Sequence, residues 1–475
     1  MFTLNEIIQA ITGKETHFPD LLFTEAVVDS RQAVPGTLFI AAPGERTDGH
    51  KFVSSAFFAG ARAALIQEDV DGDYDSIDLR SCDNIDSQGL LTGEKPVCLR
   101  VNNTIGALQK IAAYHRTRLT DMRVTGITGT VGKTSTKELI YDVLSVHYRT
   151  LKTLGNMNNE IGLPLTMLRA SKETELAILE MGFYVPGEID QLCQIALPET
   201  GVVTNVGMVH ASRAGSMEVI AEGKSELVRA LPADGTAILN YDDPYVRPMA
   251  DLTKARVLYY GLDPAAELHA CNINSRGLDG VYFDMVYRGE TYPIHSPLIG
   301  RHSVMTALRA AAVGLVYGLS RDEIIYGLEN SRNQLRMRLT RTFLDGILID
   351  DTYNASPEST TAALDLLSEI PGRKIAVLGE MRELGQYEQK GHEMVGKKAA
   401  AVCDVLVAVG PVTKYMADAA IADGMNSDHV QWFATTDEAS DYLINCGLKK
   451  DDAILIKGSR GMVMETIVEK LEKKA

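Results

Sequence analysis

The residues with the clearest chemical meaning lie in Gly126-Ile-Thr-Gly-Thr-Val-Gly-Lys-Thr-Ser-Thr-Lys-Glu138, where glycines, a lysine and a hydroxyl separate a strand-like run from a helix-like one. Glycines let a backbone turn sharply and aim its N–H groups at phosphate oxygens, and a helix starting near Lys133 adds the positive end of its dipole. Lys133 suits the β- and γ-phosphates of a nucleoside triphosphate, and the Thr134 hydroxyl suits Mg²⁺. Five residues separate Gly126 from Gly132, one more than in the usual phosphate loop, so the pattern is the variant G-x-x-G-x-x-G-K-T. A metal held with the phosphates needs further ligands at the carboxyl ends of neighbouring strands. Glu180 follows the apolar run at 176–179 and stands in that position, although a helix-starting Glu in a loop is the safer guess for any single Glu. His210 also follows a strand-like run, whereas a lone His is more often a structural hydrogen-bonder. Lys224, on a helix-like stretch, is by default a solvated lysine.

Two later stretches carry a similar signal. Asp350-Asp-Thr-Tyr-Asn-Ala-Ser-Pro357 follows an apolar run at 347–349 and offers paired carboxylates for ribose hydroxyls or a second metal. An Asx turn with a helix cap at Ser356 fits the same residues equally well. Lys457-Gly-Ser-Arg460 supplies two cations and a hydroxyl after another strand, with a loop of solvated charges as the alternative, and Arg336 and Arg338 add positive charge nearby.

These groups need a scaffold of strands that end at one edge. Apolar runs at 37–42 and 63–66, with a helix expected over 53–60, make a small α/β unit of the first 115 or so residues. The acidic stretch between Glu68 and Lys95 has no sustained periodicity and reads as a mobile surface insertion. From 124 onward, runs at 176–179, 201–204, 237–239 and 257–260 alternate with helical segments, as a mostly parallel sheet requires. A β-rich patch at 280–287 and a small-residue helix at 304–316 follow, and the alternation resumes through runs at 347–349, 375–378, 405–409 and 453–456. The expectation is α/β throughout, with domains at 1–115, 116–331 and 332–475.

A chain of 475 residues is long for a single core. Its net charge of −16 argues against nucleic acid as a general partner, while a local basic cluster can still hold a small anion. The six cysteines include no C-x-x-C pair, which suits a reducing cytoplasm and weakens a zinc reading. The start of the sequence lacks a basic-then-apolar leader and no apolar run is long enough to span a bilayer, so a soluble, cytoplasmic protein is expected, with no membrane insertion.

Taken together, the motifs resemble those of the Mur ligases, the ATP-dependent amide-forming enzymes of peptidoglycan precursor synthesis, and most closely their D-alanyl-D-alanine-adding branch. The resemblance runs through Asp29-Ser-Arg31, Asp48-Gly-His-Lys-Phe52, the phosphate loop, Gly155-Asn-Met-Asn-Asn-Glu-Ile-Gly-Leu-Pro-Leu165 and Glu180-Met-Gly182. It continues through Asn205-Val-Gly with His210, Glu222-Gly-Lys-Ser-Glu226, Asp351-Thr-Tyr-Asn-Ala-Ser-Pro357, Leu378-Gly-Glu-Met-Arg-Glu-Leu-Gly385 and Lys457-Gly-Ser-Arg-Gly461. It implies a small N-terminal α/β domain for a UDP-sugar, a central P-loop ATPase-like domain and a C-terminal Rossmann-like domain that closes over ATP.

By resemblance, Gly129, Thr130, Gly132, Lys133, Thr134 and Ser135 would hold ATP, joined by Arg336 at a phosphate, Asp351 at the ribose and Asn354. Lys133, Glu180, His210 and Lys224 would be the catalytic set. Thr134, Glu180, His210 and a carbamylated Lys224 would hold Mg²⁺ in two sites. Ser30, Arg31, Asp48, Gly49, His50, Asn158, Asn159, Lys457 and Arg460 would face the substrates, UDP-N-acetylmuramoyl-tripeptide and D-alanyl-D-alanine, with the chain acting as a monomer. The sequence departs from the family where Ser303 and Thr306 replace two asparagines in Gly300-Arg-His-Ser-Val-Met-Thr-Ala307, and a hydroxyl cannot make the bidentate contact that an amide makes to adenine. A paralogous Mur-type ligase with other substrates, and a nucleotide-binding protein whose catalysis has lapsed, are the alternatives.

Overall fold

The computed structural model describes residues 1–18, 21–44, 47–81, 95–209, 211–331 and 337–473. It divides into two compact units, one of Met1–Gly126, Tyr148–Gly182 and Glu188–Glu199, the other of Ile127–His147, Phe183–Gly187 and Thr200–Ala475. Strands and helices alternate along both, in the α/β class read from the sequence.

In the first unit a parallel sheet takes the order Glu25–Val27, Thr37–Ile40, Ala63–Ile66, Val97–Arg100, Asp75–Asp78. Thr37–Ile40 and Ala63–Ile66 are buried at every residue, which is why they read as unbroken apolar runs. Helix Val53–Phe58 is shorter than the expected 53–60, because the chain turns away at Gly60, where φ is +109°. Val53 and Phe57 pack with Val27, Phe39 and Ile66 in one core. The acidic stretch corrects the expectation of a mobile insertion: Asp75–Asp78 is an edge strand in register with Val97–Arg100, and only Ile77 is buried. An edge strand with one inward side chain carries too little apolar pattern to be seen against its charges; residues 82–94 lie outside the described residues. The same unit holds helix Thr104–Thr117, packed on Gly162–Met167 and Glu188–Ala196, and the parallel pair Thr150–Lys152 and Leu176–Glu180.

In the second unit, Thr200–Val203, Thr236–Asn240 and Arg256–Gly261 run parallel, the last also beside the start of Leu268–Ser275. Leu268–Ser275, Val281–Tyr287 and Glu290–Ser296 then continue antiparallel. Helix Lys133–Leu144 packs against Ser303–Val316 and Arg321–Glu329. At the last contact Gly327 admits close approach, since a Cβ there would lie 2.6 Å from the Val143 Cα.

The C-terminal sheet has the order Arg338–Arg341, Ile347–Asp351, Asp452–Lys457, Arg373–Gly379, Val405–Val409, Val430–Phe433, parallel except for its first strand. Helices cover both faces. Leu364, Val395 and Met416 anchor three of them in one core, and Leu443 and Ile467 anchor two in the other. Among the described residues no helix is long and apolar enough to cross a membrane.

Candidate active site

Strand Arg123–Thr128, buried from Val124 onward, delivers the chain into the phosphate loop. Gly129 has φ +141°, and a Cβ there would lie 1.9 Å from Thr204 Oγ1, so neither conformation nor space allows another residue. Gly132, at φ +85°, starts helix Lys133–Leu144 without a side-chain cap, and the positive end of the helix dipole there suits an anion. The segment after strand Thr200–Val203 fixes the loop's shape. Asn205 accepts from Val131 N and donates to Val131 O, both at 2.9 Å, while Thr204 Oγ1 donates to the same carbonyl at 2.7 Å. Thr130 N donates to Asn205 O at 3.0 Å, and Gly207 N donates to Thr130 Oγ1 at 2.8 Å. Lys133 folds back so that Nζ donates to Gly129 O at 2.7 Å and Thr130 O at 3.2 Å. Thr134 and Ser135 occupy the helix's first turn, half-buried.

Lys224 is the main revision of a residue's default reading. It lies on helix Met217–Arg229 and is 1% exposed, not solvated. The reason is register: Lys224 follows Ile220 by four positions and precedes Leu227 by three, so it shares their buried face. Its Nζ lies 4.9 Å from the centre of the Phe183 ring, and Gly223 makes room for that ring, since a Cβ there would stand 1.9 Å from Phe183 Cε2. Burial, and then the charge of Lys133, push the Lys224 ammonium well below its ordinary value, which favours the neutral amine.

In the first unit, Glu180 ends strand Leu176–Glu180 and is 1% exposed, as its strand-end position implied. Its N–H donates to Thr153 Oγ1 at 3.0 Å and its Oε1 accepts from Asn158 Nδ2 at 2.9 Å. Asn159 Oδ1 accepts from Gly162 N at 2.9 Å, at the first residue of helix Gly162–Met167.

The chain matches family models over most of its length. Residues 127–314 match the Mur ligase middle domain, 335–460 the "Mur ligase, glutamate ligase domain", and 24–115 the "Mur ligase family, catalytic domain". It is 34% identical over 477 aligned residues, 99% of this chain and 98% of the relative, to the UDP-N-acetylmuramoyl-tripeptide–D-alanyl-D-alanine ligase of Bacillus subtilis. The chain belongs to the Mur ligase family. The Escherichia coli protein of the same description is 32% identical over 99% of this chain and 98% of its own length. Among solved structures, MurF from Acinetobacter baumannii superposes with a TM-score of 0.85 at 29% identity, covering 99% of this chain and 98% of that one. MurF from Thermotoga maritima, in complex with ADP, gives 0.78 at 26% identity, covering 95% and 98%.

The remaining Mur-type motifs fall as follows. Asp351 and Lys457 end adjacent parallel strands in direct register. Lys457 is 3% exposed and donates to Asp351 Oδ2 at 2.5 Å and Asn354 O at 2.8 Å, so it is not a solvated loop charge. Ser356 does cap helix Pro357–Glu369, and Arg460 lies over the Tyr353 ring at 5.5 Å. In the first unit, Asp29 starts the turn Ser30–Gln32 and pairs with the exposed Arg31 at 2.7 Å. His50 Nδ1 meets Asp48 Oδ1 at 2.6 Å and its Nε2 accepts from Gln67 N at 2.8 Å, which ties the loop to the sheet. Between them Gly49 abuts Ala42, where a Cβ would come within 2.8 Å of backbone atoms. His210 and Arg336 lie outside the described residues.

Beside the phosphate loop, a cleft of about 470 Å³, solvent at its mouth included, is lined by Ser135, Leu298, Ile299, Ser303, Thr306 and Met337, with His302 at its wall. Burial holds the His302 imidazole below its usual value, which favours the neutral ring. Sequence reasoning missed Arg309, Phe183 and the grip of Asn205 on the loop. A lone arginine within the apolar helix at 304–316 was the available sign of the first.

Proposed function

We propose that this Mur ligase joins UDP-N-acetylmuramoyl-tripeptide to D-alanyl-D-alanine, using ATP and releasing ADP and phosphate, in the cytoplasmic synthesis of the peptidoglycan precursor. The observation that carries the reading is near-full-length similarity to ligases of that description, in a chain whose phosphate loop is held in shape for a triphosphate. The protein acts as a monomer with domains at 1–115, 116–331 and 332–475.

ATP lies along Gly129–Ser135, its phosphates at the positive, N-terminal end of helix Lys133–Leu144. Lys133 leaves the carbonyls of Gly129 and Thr130 for the β- and γ-phosphates. The tripeptide carboxylate attacks the γ-phosphorus, ADP leaves, and Lys133 offsets the charge that spreads over the transferred group. The amine of the dipeptide then attacks the acyl phosphate carbonyl, phosphate leaves, and an amide remains. Water must be kept out between the two steps because acyl phosphates hydrolyse. Asp351, oriented by Lys457, takes the ribose hydroxyls; Asn354 and Arg336 complete the nucleotide contacts. Ser30, Arg31, Asp48, Gly49, His50, Asn158, Asn159, Lys457 and Arg460 are the residues assigned to the substrate side.

The donors suit Mg²⁺. A hydroxyl such as that of Thr134 and a carboxylate such as that of the buried Glu180 are hard oxygen donors of the kind Mg²⁺ takes. When bound at Thr134, Glu180, His210 and a modified Lys224, Mg²⁺ in two sites would supply neutralisation of phosphate charge. Lys224 fits carbamylation because its environment favours the neutral amine, the form that adds to CO₂ with loss of a proton. The carbamate then sets an anion near Lys133.

The decisive assay is ADP release with UDP-muramoyl-tripeptide, with and without D-alanyl-D-alanine. Turnover above background only when both are present is expected. Nucleotide binding without turnover on either would defeat the substrate assignment.

A further inference from the structure

The cleft beside the phosphate loop has an unusual donor arrangement. Arg309, on helix Ser303–Val316, is 4% exposed. Its Nη2 donates to Thr306 Oγ1 at 2.9 Å, its Nη1 lies 3.5 Å from the Tyr260 hydroxyl, and its Nε has no hydrogen-bond partner among the described residues. Nη2 also stands 3.2 Å from where a Cβ on Gly132 would be, so one guanidinium touches both the phosphate loop and the cleft wall. A guanidinium only donates, so Thr306 is the acceptor in their bond and its own O–H proton remains to be directed into the cleft. Ser303 has spent its proton on Leu298 O at 3.2 Å.

A single directed hydroxyl reads one acceptor atom. It matches N7, which adenine and guanine share, or a 6-oxo group, and it does not form the paired contact to N6 and N7 by which an amide selects adenine. We infer that Arg309 fixes Thr306 as a hydrogen-bond donor toward the nucleobase, so that the site takes 6-oxopurine triphosphates about as well as ATP. This rests on the cleft being the base end of the proposed nucleotide site. Arg309 is a positioning residue, since it acts through Thr306.

The test is the dissociation constant of the full chain for the Mg²⁺ complexes of ATP, GTP, ITP and 7-deaza-ATP. ATP, GTP and ITP should bind within about fivefold of one another, whereas an amide-type reader would separate them by roughly 10- to 150-fold. Thr306→Asn should raise the ATP preference at least tenfold, and Thr306→Val should weaken the three nucleotides about equally. Wild type should bind 7-deaza-ATP more weakly than ATP; Arg309→Met should shrink that ratio and Arg309→Lys, still a donor, should retain it. GTP or ITP binding more than about fivefold weaker than ATP, or an unchanged 7-deaza ratio in a folded Arg309→Met protein, overturns the inference. Failure of every triphosphate to saturate wild type, or affinities indifferent to Lys133→Ala, overturns the nucleotide-site reading itself.

Discussion

Lys224 shows how a residue's surroundings choose its chemistry. Its folded-state value is depressed, so from that value up to the ordinary 10.5 the unfolded chain binds a proton that the native chain does not. Stability should therefore rise with pH through that window and level off above it. In metal-free, CO₂-depleted buffer, Lys224→Met should flatten this rise, as read from urea midpoints across the alkaline range. A variant that keeps the full slope would show that another group carries it. Lys224→Ala should abolish turnover and regain part of it with a short carboxylic acid, whereas Lys133→Ala should lower kcat by about 10²- to 10³-fold or more without rescue. The strand-end placement of Glu180 and Asp351 was legible because an apolar run followed by a carboxylate marks a sheet edge. The burial of Lys224 was present in its spacing from Ile220 and Leu227, but the charge hid it.

Helix Met217–Arg229 is placed by a glycine as much as by its apolar face. Gly223→Ala would put a methyl group against the Phe183 ring, costing about 1–3 kcal/mol in overpacking and shifting the neighbouring lysine. Turnover should fall while ATP affinity, which depends on another helix, changes little; a loss of affinity of the same size would contradict this separation. The same scale explains which elements the sequence revealed. Val405–Val409 and Asp452–Lys457 lie inside a sheet covered on both faces, so apolar residues stand side by side. Arg338–Arg341 and Val430–Phe433 form the two edges, are only partly buried, and carry no run that sets them apart from loops.

Across the whole molecule, the C-terminal sheet carries a complete core on each face, which is the condition for independent folding. A fragment of 332–475 should show one cooperative thermal transition and native-like circular dichroism; a broad, non-cooperative melt would mean that it needs the rest of the chain. The alternation of strand and helix revealed this architecture, because parallel strands require crossovers and each crossover leaves a helical period in the sequence. The partners of long-range polar contacts were not legible. Nothing local to Val131 announces that Asn205 holds it, or local to Gly132 that Arg309 lies behind it.

The hold of Asn205 on both backbone groups of Val131 has a kinetic meaning. A loop already clamped before a ligand arrives has little conformational search left to make. Capture of the triphosphate tail should then appear in stopped-flow traces as a single fast phase, linear in nucleotide concentration. Any slower, concentration-independent phase should survive Asn205→Ala, because it would report motion elsewhere in the chain.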